Sequence, residues 1–296
     1  MKNVLFILIQ TLALNVFSQQ KAMFSQYMFN PLIINPAYPA VDESMNITTV
    51  VRQQWVGFNG APNTQTISVH SPLGSSNTFM GFTAFRDHIG EALTETGAFF
   101  TLAQRLKLSN KTYLSFGVNG GLSQYSETYS SIGSSVDMPD DPTFMDQNDT
   151  RFNFGAGIML FSDKFYAGLS SPFLYTLDVN NNHSPFFTLQ SGYIIKTGDD
   201  LLIKPNILGK YISGSPFQLD LNVNFLLKET VGFGISYRSM DSLDFLAEIF
   251  LSRKVSLGYS YDYSTTRLAR AHSGSHEIML NVRLPVAGHG FTGCYF

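Results

Sequence analysis

Gln218–Leu227 reads QLDLNVNFLL, Val231–Arg238 reads VGFGISYR, residues 255–262 read VSLGYSYD, and residues 277–284 read EIMLNVRL. In each stretch the residues alternate. Leu219, Leu221, Val223, Phe225 and Leu227 fall on one side, and Asp220, Asn222 and Asn224 on the other. Val231, Phe233, Ile235 and Tyr237 oppose Gly232, Gly234, Ser236 and Arg238, and Ile278, Leu280, Val282 and Leu284 oppose Glu277, Met279, Asn281 and Arg283. A side-chain period of two marks strands with two unlike faces. One face is apolar and nearly uncharged, while the other carries charges of both signs. A membrane β-barrel needs that division, with lipid outside and a wetter lumen inside.

The composition agrees. Only 14% of the 296 residues are charged and 14% are aromatic, whereas soluble domains carry about a quarter charged residues. Mean hydropathy is +0.02, too polar for a bundle of membrane helices. The net charge of −3 excludes a nucleic-acid surface of the usual basic kind. The single cysteine, Cys294, excludes an internal disulfide; it reads as a bystander, with a reactive or partner-linked thiol as the alternative.

Three regions follow: a secretory leader over 1–18, an N-terminal arm or plug over 19–43, and an outer-membrane barrel over 44–296. Lys2 begins the leader, an apolar run follows, and Val16 and Ser18 suit the cleavage positions. The arm carries Asn30-Pro31 and Asn35-Pro36, which enforce turns. It either packs at the mouth of the barrel or serves as a plug or docking epitope. From residue 44 the pattern predicts an all-β, antiparallel, up-and-down transmembrane barrel of about 14 strands. Among these, 164–171 looks short for a crossing, 186–197 is a single strand, and Pro205 sits mid-strand, where it removes a ladder donor. Short polar connections at 109–111, 162–164, 197–200, 228–230 and 252–254 fall on one side. The longer ones, at 126–149, 173–185 and 264–274, fall on the other. This is the asymmetry of short periplasmic turns and longer outer loops.

The runs FSQYMFNPLIINPAY from Phe24, RQQWVGFNGAPNTQTISVHSPLG from Arg52, and YDYS with GSHEIML between Tyr261 and Leu280 resemble the PorP/SprF family of Bacteroidetes outer-membrane proteins. That resemblance implies a barrel tied to type IX secretion. Its expected partners are outer-membrane lipid, a secreted cargo such as a large gliding adhesin with a type B C-terminal domain, and subunits of the periplasmic secretion ring. It implies neither a cofactor nor a nucleic-acid partner. The tail GHGFTGCYF has no counterpart in the resemblance.

Candidate partner-binding residues are Phe24, Tyr27, Asn30, Pro31, Asn35 and Pro36 in the arm, Trp55 and Phe58 at an outer turn, and Phe173 and Tyr175 in an outer loop. Trp55 also suits an interfacial aromatic girdle. Candidate lumenal residues are Arg52, Gln54, His70, Asp220, Arg238, Asp244, Glu248, Asp262, Glu277 and Arg283. Closure must pair the first strand with the last, which makes Arg52 and Glu277 candidate neighbours at the seam. They read either as part of a polar network filling the lumen or as a contact for cargo. Acidic residues at 137–149 suggest a solvated loop rather than a calcium site, because the spacing is not that of an EF-hand. His272 and His276 lie four apart, but not on a helix. Ser275, His276 and Glu277 are consecutive on a strand and cannot converge as a triad. No other catalytic motif is present, so the expectation is a non-enzyme without metal or cofactor. The alternative function is a porin or transporter for a small solute.

Overall fold

The computed structural model describes residues 24–129, 145–177, 185–213 and 215–289. The leader, the start of the arm, the acidic residues at 137–142 and Cys294 lie outside these ranges. Fifteen strands run in chain order: β1 (Met45–Gln53), β2 (Asn63–Pro72), β3 (Thr78–Ile89), β4 (Leu93–Lys107), β5 (Thr112–Glu127), β6 (Gln147–Ser162), β7 (Phe165–Leu177), β8 (Phe186–Tyr193), β9 (Ile195–Thr197), β10 (Leu201–Ile212), β11 (Gln218–Leu227), β12 (Val231–Arg238), β13 (Ser242–Ser252), β14 (Val255–Ser264) and β15 (Ser275–Leu284). Each pairs antiparallel with its sequence neighbours, except that β8 and β9 lie end to end and both pair with β10. β1 closes on β15, from Met45 opposite Leu284 to Gln53 opposite His276. The result is a closed antiparallel barrel of 14 strands, with β9 as a short continuation of β8.

Pro205 explains why β8 and β9 separate. Asn206 pairs with Gly192 and Ile203 with Ile195, in one unbroken register. Between those pairs Pro205 has no N–H to give its neighbour, so the ladder lapses over two register positions, Pro205 opposite Tyr193 and Lys204 opposite Ile194. The expectation of a single strand over 186–197 is corrected accordingly. The short strand expected at 164–171 is also corrected. β7 runs on to Leu177 after a register shift between Ser170 and Phe173. β5 and β6 likewise extend past the expected ends, tied by Ser126 donating to Asn148 at 2.7 Å. Strand length was underestimated where polar side chains continue the pleat beyond the apolar band.

Burial is inverted relative to a water-soluble protein. Asp220 and Glu277 are fully buried and Arg238 is 1% exposed, whereas Phe100 is 69% and Leu189 58% exposed. A surface so rich in apolar groups requires lipid as its solvent. The short connections between β4 and β5, β6 and β7, β9 and β10, β11 and β12, and β13 and β14 all lie at one end, which marks that end as periplasmic.

Candidate functional site

The arm lies inside the lumen. Phe24, Tyr27, Met28, Phe29 and Ile34 form one buried apolar cluster with Val50, Leu208, Leu246 and Met279 from the barrel wall. Leu32, Ala37 and Tyr38 form a second with Met159 and Phe161. These wall residues break the polar inward phase of their strands, and each break marks a place where the arm rests. Fully burying an aliphatic or aromatic side chain contributes about 1.5–3 kcal/mol, so the two clusters hold the arm firmly.

The second Asn-Pro pair needs a gap in the wall. A Cβ at Gly117 would overlap the Pro36 carbonyl, one at Gly157 would overlap the Asn35 amide oxygen, and one at Gly168 would crowd the Asn35 amide nitrogen. Three strands therefore place glycine where the arm backbone comes closest. Ser115 donates to Ala37 O at 3.0 Å and Ser170 to Ile34 O at 2.8 Å, satisfying arm carbonyls that the lumen would otherwise strand.

Polar side chains complete the seal. Arg52 and Glu277 are register partners across the β1/β15 seam, with Arg52 Nη1 3.2 Å from Glu277 Oε2. Arg52 Nη2 lies 2.7 Å from Asp262 Oδ2. Glu277 accepts the backbone N–H groups of Ser25 and Gln26, both at 2.9 Å, and Ser25 Oγ donates to Asp262 at 2.6 Å. Arg238 contacts Asp220 at 3.4 Å and Asp244 at 3.6 Å and donates to Phe24 O at 3.3 Å; Lys210 reaches Asp220 at 2.9 Å. Charges this deeply buried require such partners. At the other end of the arm, Asp42 accepts from Arg283 at 3.0 and 3.1 Å, with His70 Nε2 4.0 Å away, and Glu43 meets Arg105 at 2.8 Å. Glu248 accepts from Ser256 at 2.8 Å. Gln54 lies just past β1, half-buried, with its N–H on Pro62 O at 2.9 Å; it stands apart from this network.

Replacing Asp42 with Ala is expected to lower stability by about 3 kcal/mol, because breaking a buried ion pair leaves a charge without its partner. The double change Asp42→Leu with Arg283→Met is expected to recover most of that loss. Urea unfolding of the folded barrel, followed by unboiled gel mobility, measures both.

The six arm candidates are thus covered by the barrel wall, and in this arrangement none offers a surface to a partner. Phe173 is half-buried against Phe99, edge to face at 5.5 Å, instead of lying in an outer loop. Tyr175, on the same strand, is 58% exposed. Trp55 has left the strand, with φ of 43°, and stacks edge to face with Phe58 at 6.5 Å, near His272 at 6.2 Å. His276 bonds Tyr259 OH at 2.7 Å. Among the described residues no cluster of His, Cys, Asp or Glu could hold a metal. Sequence reasoning missed Ser25, Asp42, Glu43, Lys210 and the glycine gap. Lys210 shares the inward phase with Asn206 and Leu208, so the alternation contained that signal.

The family model described as type IX secretion system membrane protein PorP/SprF matches residues 16–282. No curated protein matches the chain. Among solved structures, the toluene transporter TbuX of Ralstonia pickettii superposes with a TM-score of 0.52 at 8% identity, covering 86% of this chain and 93% of that one. A monoaromatic hydrocarbon channel, CymD, gives 0.51 at 11% identity, covering 88% and 92%. Omp33 of Acinetobacter baumannii gives 0.46 at 12% identity, covering 82% and 99%. At such identities the likeness concerns the fold alone.

Proposed function

Because this chain belongs to the PorP/SprF family of type IX secretion system membrane proteins, we propose that it is a plugged outer-membrane barrel supporting the secretion or surface anchoring of a protein cargo. It is an outer-membrane β-barrel, and the proposal concerns what it does there. The cargo is of the large adhesin type, with a type B C-terminal domain and a role in gliding motility. Subunits of the periplasmic secretion ring are the second partner. A cleavable leader over 1–18 delivers the chain, and it acts without cofactor or catalysis.

The observation that carries this reading is the filled lumen. An arm anchored at both ends by buried ion pairs and hydrogen bonds leaves the outer surfaces, rather than the bore, to do the work. The half-exposed Phe58, the neighbouring Trp55 and the exposed Tyr175 supply aromatic contacts of the kind that interfaces favour. Photocrosslinkers at Phe58 and in the 264–274 loop are expected to attach an adhesin-sized cargo in intact cells, and a pull-down from the periplasmic side a ring subunit. A strain that uses type IX secretion yet yields neither would count decisively against the proposal.

A second reading, a small-solute transporter, is favoured by a cavity of about 470 Å³ at the periplasmic mouth, lined by residues including Tyr38, Asp42, Arg105, Phe161 and Tyr166. Met28 and Pro31 of the arm line it too, so passage would require the arm to move. Loss of uptake of one solute on deletion, with secretion intact, would favour this second reading.

A further inference from the structure

Among the described strand residues, Arg86 is the one Lys, Arg, Asp or Glu in the outward phase. On β3, Thr83, Phe85 and Asp87 turn inward, while Ala84 and Arg86 face the bilayer side, Arg86 exposed. It has no ion pair among the described residues.

The surroundings of Arg86 are organised in rows across the wall. Gln65, Arg86, Thr96 and Gln124 stand opposite one another in register on β2, β3, β4 and β5. These four form the first outward polar row above the apolar band, and the next row out is Asn63, His88, Thr94 and Ser126. One step toward the periplasm the row is Ile67, Ala84, Ala98 and Leu122. Two alanines between two larger side chains leave a hollow. One step further toward the periplasm Phe82 and Phe100 meet at 5.0 Å, an aromatic step below the alanines. The hollow measures about 720 Å³.

Arg86 lies three residues inside the outer end of β3. At about 3.3 Å per residue along a tilted strand, that is within about 10 Å of the outer edge. Its stem can lie along the wall while the guanidinium reaches the headgroup level. A planar guanidinium flanked by uncharged donors matches a phosphate, and a smooth alanine floor ending at an aromatic step matches an acyl chain.

We propose that this slot binds one phosphorylated, acylated lipid of the outer leaflet, its phosphate on Arg86 and an acyl chain along Ala84 and Ala98. The surface faces the bilayer, so lipid is the molecule in contact with it, and the lone cation selects an anionic one.

The test is native mass spectrometry of the full barrel in mild detergent, titrated with bisphosphorylated lipid A, dephosphorylated lipid A, or inorganic phosphate. The wild type is expected to retain one bisphosphorylated lipid. Arg86→Gln is expected to weaken retention about tenfold or more, the effect of losing a charged hydrogen-bonded contact. Ala98→Leu, which fills the hollow and leaves Arg86 in place, is expected to do the same. Neither dephosphorylated lipid nor inorganic phosphate should be retained. Unboiled gel mobility reports folding of each variant. Equal retention by wild type and both variants, or equal retention of the dephosphorylated lipid, would overturn the proposal. So would a photocrosslinker at Ala98 that attaches a protein in cells, because the slot would then be a protein interface.

Discussion

Deleting residues 24–43 is expected to turn a barrel that passes no steady current into an open pore. A barrel of this strand number encloses more space than its own inward side chains fill. Here the surplus is taken by the arm, whose residues from Phe24 to Ala40 are almost all buried. Without it, Val50, Leu208, Leu246 and Met279 would line a water-filled bore beside Arg52, Arg238, Asp220, Asp262 and Glu277. Those charges have both signs, so the opened pore should select weakly between cations and anions. In planar bilayers the deletion variant is expected to show a steady conductance at least about tenfold above any leak through the full barrel, as its lumen is emptied. The wall strands keep their ladders, so the variant should still fold, as unboiled gel mobility would report. A steady open channel in the full-length barrel would show that the arm is not a seal. A folded but silent deletion variant would place the block elsewhere.

Alternation and loop asymmetry carried the architecture, because both are local. A strand with lipid on one side and lumen on the other cannot hide its period, and Asp220 to Asn224 or Gly232 to Arg238 displays it without any partner in view. The Arg52–Glu277 pairing followed from closure alone. The position of the arm was harder to read, because its contacts are all distant in sequence: Ser25 meets Glu277, and Asp42 meets Arg283. A trace of it was present, since Val50, Leu208, Leu246 and Met279 interrupt otherwise polar inward faces. Taken singly, each looks like noise; together they outline what fills the lumen. Phe173 misled for a different reason. It was assigned to the connection at 173–185, yet β7 runs through it with a register shift and turns the ring toward Phe99. Arg86 was overlooked because one outward charge in one strand has no pattern of its own. Its meaning depends on the neighbouring rows, and those depend on register.

Gly117→Val is expected to open the barrel without removing any part of the chain. Gly117 faces inward on β5, and a Cβ there would fall on the Pro36 carbonyl and the Ala37 nitrogen. The obstacle is backbone held by turns, so it cannot swing aside as a flexible side chain would. Tyr38 N–H donates to Asn35 O at 3.0 Å, and Ala37 N–H donates to Asn35 Oδ1 at 2.9 Å, and both bonds fix the segment that must move. Valine suits a strand, so the wall itself should accept the change, and the penalty falls on the docked arm. Overpacking costs about 1–3 kcal/mol where neighbours can adjust, and more is expected here. The arm should leave its seat around Asn35-Pro36, giving noisy partial conductance and new protease cleavage near that pair. Gly120→Val provides the control, since Gly120 faces outward on the same strand and its Cβ would meet the Phe154 ring at 3.4 Å and the Asn153 carbonyl oxygen at 4.0 Å. It should stay silent in bilayers and resist protease. If Gly117→Val behaved like Gly120→Val, the arm would not be seated against β5 in the membrane, and the case for a lumen sealed by the arm would fail with it.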